Sequence, residues 1–266
     1  MGTSSMVLLC NRAMRLAEHG AVEDAHAHGE RALELLKGSG GPDEIGEAMI
    51  CLALAECKRG KYVLAEGLCR RALKLLQGSG NQRLAVLGHW ASGFVAGNLE
   101  QIDEASDHLQ TAFASADGLL SLREQGTLRS DLAIACRERG DLDEALRLSR
   151  EALGIMELAG DVQWVADLYN TIGAIHARRG DREAAFQAYE SAHAVLGNDM
   201  VPQAAECHAE LARLELEGGR PADEPPAARG GHSLLAAGQR CVLRARPETV
   251  RGPCRRSTAS SGREAK

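Results

Sequence analysis

The chain has 266 residues, 44% of them hydrophobic but only 3% aromatic. A core this rich in Ala and Leu and this poor in aromatics suits helices and argues against a β-sandwich or barrel. The formal net charge of −6 is unevenly spread: residues 1–219 carry 21 Lys and Arg against 33 Asp and Glu, whereas residues 220–266 carry 10 against 4. An acidic body opposes binding to a phosphate backbone, which leaves only the basic tail with that option.

In chain order, the sequence predicts a first helix pair at about 4–19 and 22–37. Three more second-type helices follow first-type helices: 43–59 with 61–77, 82–97 with 101–117, and 121–139 with 141–159. A fifth pair spans 162–179 and 181–196, and a last first-type helix spans about 203–217. Pro42 and Pro202 suit the starts of helices. Asp141 and Asp181, each just after a glycine, are expected to N-cap second helices, with Asp141 and Glu144 at capping-box spacing.

These pairs share a period of 40 residues. Ala25, Ala65, Ala105, Ala145 and Ala185 form one unbroken series, and Ala32, Ala72, Ala112, Ala152 and Ala192 a second. A third is always small: Ala13, Ala53, Gly93, Ala133 and Gly173. Large apolar residues keep the same step at Leu33, Leu73, Phe113 and Leu153, with a break at His193. The turns His19-Gly20, Arg59-Gly60, Arg139-Gly140 and Arg179-Gly180 recur, with Gly97-Asn98 slightly early in the third copy. Small residues at fixed phase let antiparallel helices approach to about 8–10 Å, which is the physical reason for the pattern.

Small residues in the first helix, two alanines in the second, and Gly140-Asp141-Leu142-Asp143-Glu144-Ala145-Leu146 together resemble the tetratricopeptide repeat superfamily. The likeness covers about residues 4–219. The longer period is similar to the 40-residue repeats of MalT-like bacterial regulators. The resemblance implies an all-α, right-handed superhelical solenoid of antiparallel helix pairs, about five repeats and a final helix. It also implies that first helices line a concave face that binds peptides or partner helices.

The pattern stops after Gly219. Pro225 stands where the series predicts Ala, and proline inside a helix costs ~3 kcal/mol or more. Residues 220–266 are therefore expected to be a disordered basic tail, following a truncated array as a change of reading frame would leave it. The apolar start at Met6–Leu9 has no polar cap before it. This suggests a piece of a larger regulator, or self-association.

Chemistry-bearing motifs are few. The sequence holds no GxxxxGK[ST], GxSxG or HExxH, so neither an enzyme nor a cofactor is expected. Gly38-Ser39-Gly40-Gly41 recurs in part as Gly78-Ser79-Gly80 and reads as a repeat connector. His26 and His28 read as solvated residues on a helix face, and the acidic pairs Asp103-Glu104 and Asp143-Glu144 as first-turn carboxylates. The eight cysteines lack a CxxC and suit reduced, packed thiols, hence a cytoplasmic location. No apolar run is long enough to span a membrane.

By repeat phase, the resemblance places Ile50, Trp90, Ser130 and Asn170 in one lining row, after Cys10. A second row holds Leu54, Phe94, Ile134 and Ala174, after Met14. A third holds Lys58, Asn98, Glu138 and Arg178, after Glu18, with Asp131, Arg137 and Asp167 nearby. The expected function is a protein-interaction module that holds a peptide or partner protein in this groove, with no membrane or metal and no nucleic acid beyond the tail. The second expectation is the sensor region of a MalT-like transcription or signalling regulator.

Overall fold

The computed structural model describes residues 22–196. Among them are nine α-helices and no strand: α1 Val22–Leu36, α2 Pro42–Lys58, α3 Tyr62–Leu76, α4 Gln82–Asn98, α5 Ile102–Ala114, α6 Leu122–Arg139, α7 Leu142–Ala159, α8 Val162–Arg179 and α9 Arg182–Leu196. The helices expected at 4–19 and 203–217, the cap at Pro202, the lining residues Cys10, Met14 and Glu18, and the tail 220–266 lie outside the described residues.

The helices form an all-α repeat solenoid. α2/α3, α4/α5, α6/α7 and α8/α9 are antiparallel pairs, and the second helix of each pair packs on the first helix of the next. Successive first helices also lie against one another, more closely than successive second helices do. The array therefore curves with α2, α4, α6 and α8 on its inner side.

The small-residue series explain this closeness. Ala25, Ala65, Ala105, Ala145 and Ala185 are at most 1% exposed, and Ala32, Ala72, Ala112, Ala152 and Ala192 are fully buried. Ala53, Ala133, Gly93 and Gly173 are buried at the facing position of the first helices. Leu33, Phe113 and Leu153 pack as half-buried residues around them, and half-buried Leu73 lies against Gly88 of α4.

Helix ends follow two rules. First helices start on side-chain caps: Asn81 accepts from the Leu84 N–H, Ser121 and Glu124 form a capping box, and Asp161 accepts from the Trp164 N–H. At α2 the Gly41 N–H donates to Glu44 Oε2 at 3.0 Å, and Pro42 occupies the first turn. Second helices start differently. Each turn closes through a backbone bond five residues back: Lys61 to Glu56, Gln101 to Ala96, Asp141 to Cys136 and Asp181 to His176, all 2.9–3.0 Å. This is the six-to-one bond of a Schellman motif, and it needs a left-handed residue just before. Gly60, Gly140 and Gly180 supply it in three turns, but Glu100 does so in the other, at φ 63°.

Two expectations are corrected. The Asp141 carboxylate makes no cap bond. The Schellman turn sets its ψ to 63°, away from extended cap geometry, so it takes Arg139 Nη2 at 2.7 Å while Glu144 pairs with Arg147. The third second-type helix ends at Ala114 rather than near 117, because the chain turns at Gly118 with φ 69° and buries Leu120. Arg83 holds that connector by donating to the Leu119 carbonyl at 2.7 Å.

Candidate functional site

Side chains link successive first helices along the inner side. At one end Asn81 Nδ2 donates to Asp43 Oδ2 at 2.9 Å, Arg83 Nη2 to Glu124 Oε1 at 2.7 Å, and Arg123 pairs with Asp161. Near the middle, the Trp90 indole N–H donates to Asp131 Oδ2 at 2.7 Å, joining α4 to α6. At the far end Glu138 accepts from Arg137 Nη2 at 2.8 Å and from Arg178 Nη1 at 3.0 Å, joining α6 to α8.

Between these links lies an aromatic pair. Trp90 and Phe94 are one turn apart on α4, and both are half-buried against the core. Lys58 Nζ from α2 stands 5.3 Å from the Phe94 ring centroid, a cation–π contact. Asn98 donates to the Phe94 carbonyl at 2.8 Å. Asp131 keeps part of its surface exposed, yet desolvation pushes its carboxyl up to about 6, against the opposing pull of Trp90 and Lys58. Trp90 occupies Oδ2, and no hydrogen bond reaches Oδ1 from the described residues. The arrangement offers flat apolar area next to an oriented carboxylate and the Lys58 cation.

The ten residues assigned from sequence divide by depth. Leu54, Trp90, Phe94, Asp131 and Asn170 are half-buried, and Asp167 and Arg178 are exposed. Ile50, Ser130 and Arg137 are buried at 3%, 4% and 5% exposure, beneath the surface rather than on it. The structure brings Trp90 to Asp131 and places Arg137 and Arg178 on one carboxylate. It does not join these two clusters through any described contact.

Other features were not read from sequence. Glu56 is a charged residue at 1% exposure, and it holds His26 Nδ1 at 2.7 Å, Arg59 Nη1 at 3.1 Å and Lys61 Nζ at 3.6 Å. His26 is thus a buried-pair partner that fastens α1 to α2, not a solvated histidine. The only sequence signal is an acid on an otherwise apolar helix face. Cys51, Cys57, Cys69 and Cys136 are buried thiols outside any disulfide, and burial pushes Cys57 and Cys69 up to about 12. No helix among the described residues is long and apolar enough to cross a membrane.

Residues 124–198 match the family model described as tetratricopeptide repeat. No curated protein sequence matches the chain. Among solved structures, BtubC from P. vanneervenii is similar with a TM-score of 0.60 at 20% identity, covering 92% of this chain and 99% of its own. A Rap protein complexed with Competence and Sporulation Factor gives 0.62 at 17% identity, over 82% of this chain and 67% of its own. The TPR-like repeats of a putative kinesin light chain from Podosopora anserina give 0.55 at 16% identity, over 74% and 98%. At these identities the likeness establishes a TPR-like all-α solenoid.

Proposed function

We propose that the chain is a protein-interaction module that takes a peptide or a partner protein along the inner face of α2, α4, α6 and α8. The observation that carries this is the pair Trp90 and Phe94, held by Asp131 and Lys58 while still partly exposed. Aromatic anchors fixed in advance give contact area without the entropy of ordering them, and such residues dominate binding energy. Leu54, Asp131, Asp167, Asn170 and Arg178 extend the surface, and Ile50, Ser130 and Arg137 support it from below. The repeat body, residues 1–219, is the interaction unit in this reading, and the tail from 220 is separate from it. A Rap protein of similar fold was crystallised with Competence and Sporulation Factor, which supports a ligand-holding role for this architecture.

The test is selection of displayed peptides on the full chain, followed by affinity measurement. Trp90→Ala should weaken a selected peptide by about 30-fold or more, the scale of a hot-spot residue. Leu158→Asp, at the end of α7, should leave it unchanged. Equal affinity for the wild type and Trp90→Ala would reject the site.

The 40-residue period favours a second reading, the sensor repeats of a MalT-like regulator. That reading expects an adjacent reading frame encoding an NTPase, kinase or helix-turn-helix domain, which the simple module does not.

A further inference from the structure

On the side of α4 turned toward the second helices, α3, α4 and α5 surround an open groove of about 500 Å³. His89 from α4 and His108 from α5 meet there. Their Nδ1 atoms are 3.1 Å apart, and their rings are inclined at 43° with centroids 5.3 Å apart. Glu104, one turn before His108, places Oε1 3.9 Å from His108 Nε2. That carboxylate stands beyond hydrogen-bond reach on the Nε2 side of the ring, and the Nδ1 side faces His89.

The spacing itself is informative. Two nitrogens bound to one ion at about 2.0–2.1 Å stand about 2.9 Å apart at a right angle and about 3.3 Å apart at the tetrahedral angle. The observed 3.1 Å falls between these limits. Burial, and then the neighbouring His108 ring, hold His89 below its ordinary pKa.

We propose that His89 and His108 bind one divalent transition-metal ion of the late first row through their two Nδ1 atoms, tying α4 to α5. Among the described residues no three His, Cys, Asp or Glu side chains converge on one point. The imidazoles therefore fill two coordination positions, and solvent reaching the open groove fills the others. In the metal-free pair one Nδ1–H is shared between the rings. On binding, that proton leaves Nδ1 for the Nε2 of the same ring, and the ion takes both Nδ1 lone pairs. Cys69 lines the same groove but does not converge with the two rings as a third ligand. Nitrogen ligands of this kind favour Cu2+ over Zn2+ and Ni2+.

The experiment is a Cu2+ titration of the full chain, followed by amide NMR and by affinity. One equivalent of Cu2+ should broaden the amide signals around His89 and His108 first, and bound ion should raise the melting temperature. His89→Ala and His108→Ala should each weaken binding at least tenfold, with helix content confirmed by circular dichroism. First broadening at any other histidine would overturn the proposal, and this readout needs no variant. Unchanged affinity in both folded variants would overturn it too.

Discussion

Where each first helix crosses its partner, small and large residues trade volume. A Cβ on Gly93 would stand 2.6 Å from Leu109 Cγ and 3.0 Å from the Ala105 carbonyl oxygen. One on Gly173 would stand 2.7 Å from the Tyr189 ring. At the same phase in the other pairs, where the first helix has Ala53 or Ala133, the second has only Cys69 or Ser149. Gly93→Ala should therefore cost about 1–3 kcal/mol as overpacking. Adding Leu109→Cys recreates the Ala53/Cys69 pair and should recover on the order of 1 kcal/mol beyond the sum of the single changes. Urea denaturation of the four proteins measures this, and strict additivity would refute the exchange. The small-residue series was legible in the sequence because it keeps a fixed period. Its large counterpart was not, because the facing residue sits sixteen positions on and varies in type. Asp131 was also legible as a lining residue, but its environment was not. With its carboxyl pushed to about 6 from an ordinary 3.8, the folded state binds that proton more tightly than the unfolded chain. Its contribution to stability therefore grows as pH falls from above 6 toward 4, and the ionised form costs on the order of 1–2 kcal/mol above that window. Asp131→Asn should flatten this segment of the stability profile and raise stability at pH 7. An unchanged slope between pH 4 and 6 would contradict it.

At the scale of the element, the turns between paired helices carry the regularity. The recurring Gly60, Gly140 and Gly180 announce the left-handed position, and helix bounds read from them fall within about two residues of those observed. The third turn departs. Glu100 holds φ 63°, a conformation that costs an L-residue about 1–2 kcal/mol relative to glycine. Glu100→Gly should stabilise the protein by roughly 1 kcal/mol, visible as a rise in melting temperature, while Glu100→Ala should not. Equal effects would mean that side-chain loss, not backbone strain, is responsible. The sequence pointed to Gly97-Asn98 for this turn because a glycine was missing from its proper phase. Backbone geometry dictated by the packed helices overrode the local preference. The same override explains Asp141: cap spacing is visible in sequence, but the Schellman bond of the turn determines where the carboxylate points.

Among the described residues, each helix pair packs mainly on its neighbours, so the fold is a stack rather than one closed core. Its curvature follows from first helices lying closer together than second helices. That asymmetry gives the molecule two unlike sides: an inner row with anchored Trp90 and Phe94, and a second-helix side that holds the His89–His108 groove. The stack was legible because repetition multiplies a weak signal. The links across it, Trp90 to Asp131 and Glu138 to Arg178, join residues about 40 apart whose types do not repeat, so only coordinates pair them. Hydrogen–deuterium exchange of the full chain, with and without a selected peptide, tests the central claim most directly. Protection should concentrate on α4 and α6, around Trp90, Phe94 and Asp131. Protection confined to α3, α5 and α7, with α4 and α6 unchanged, would contradict the assignment of the inner face as the binding surface.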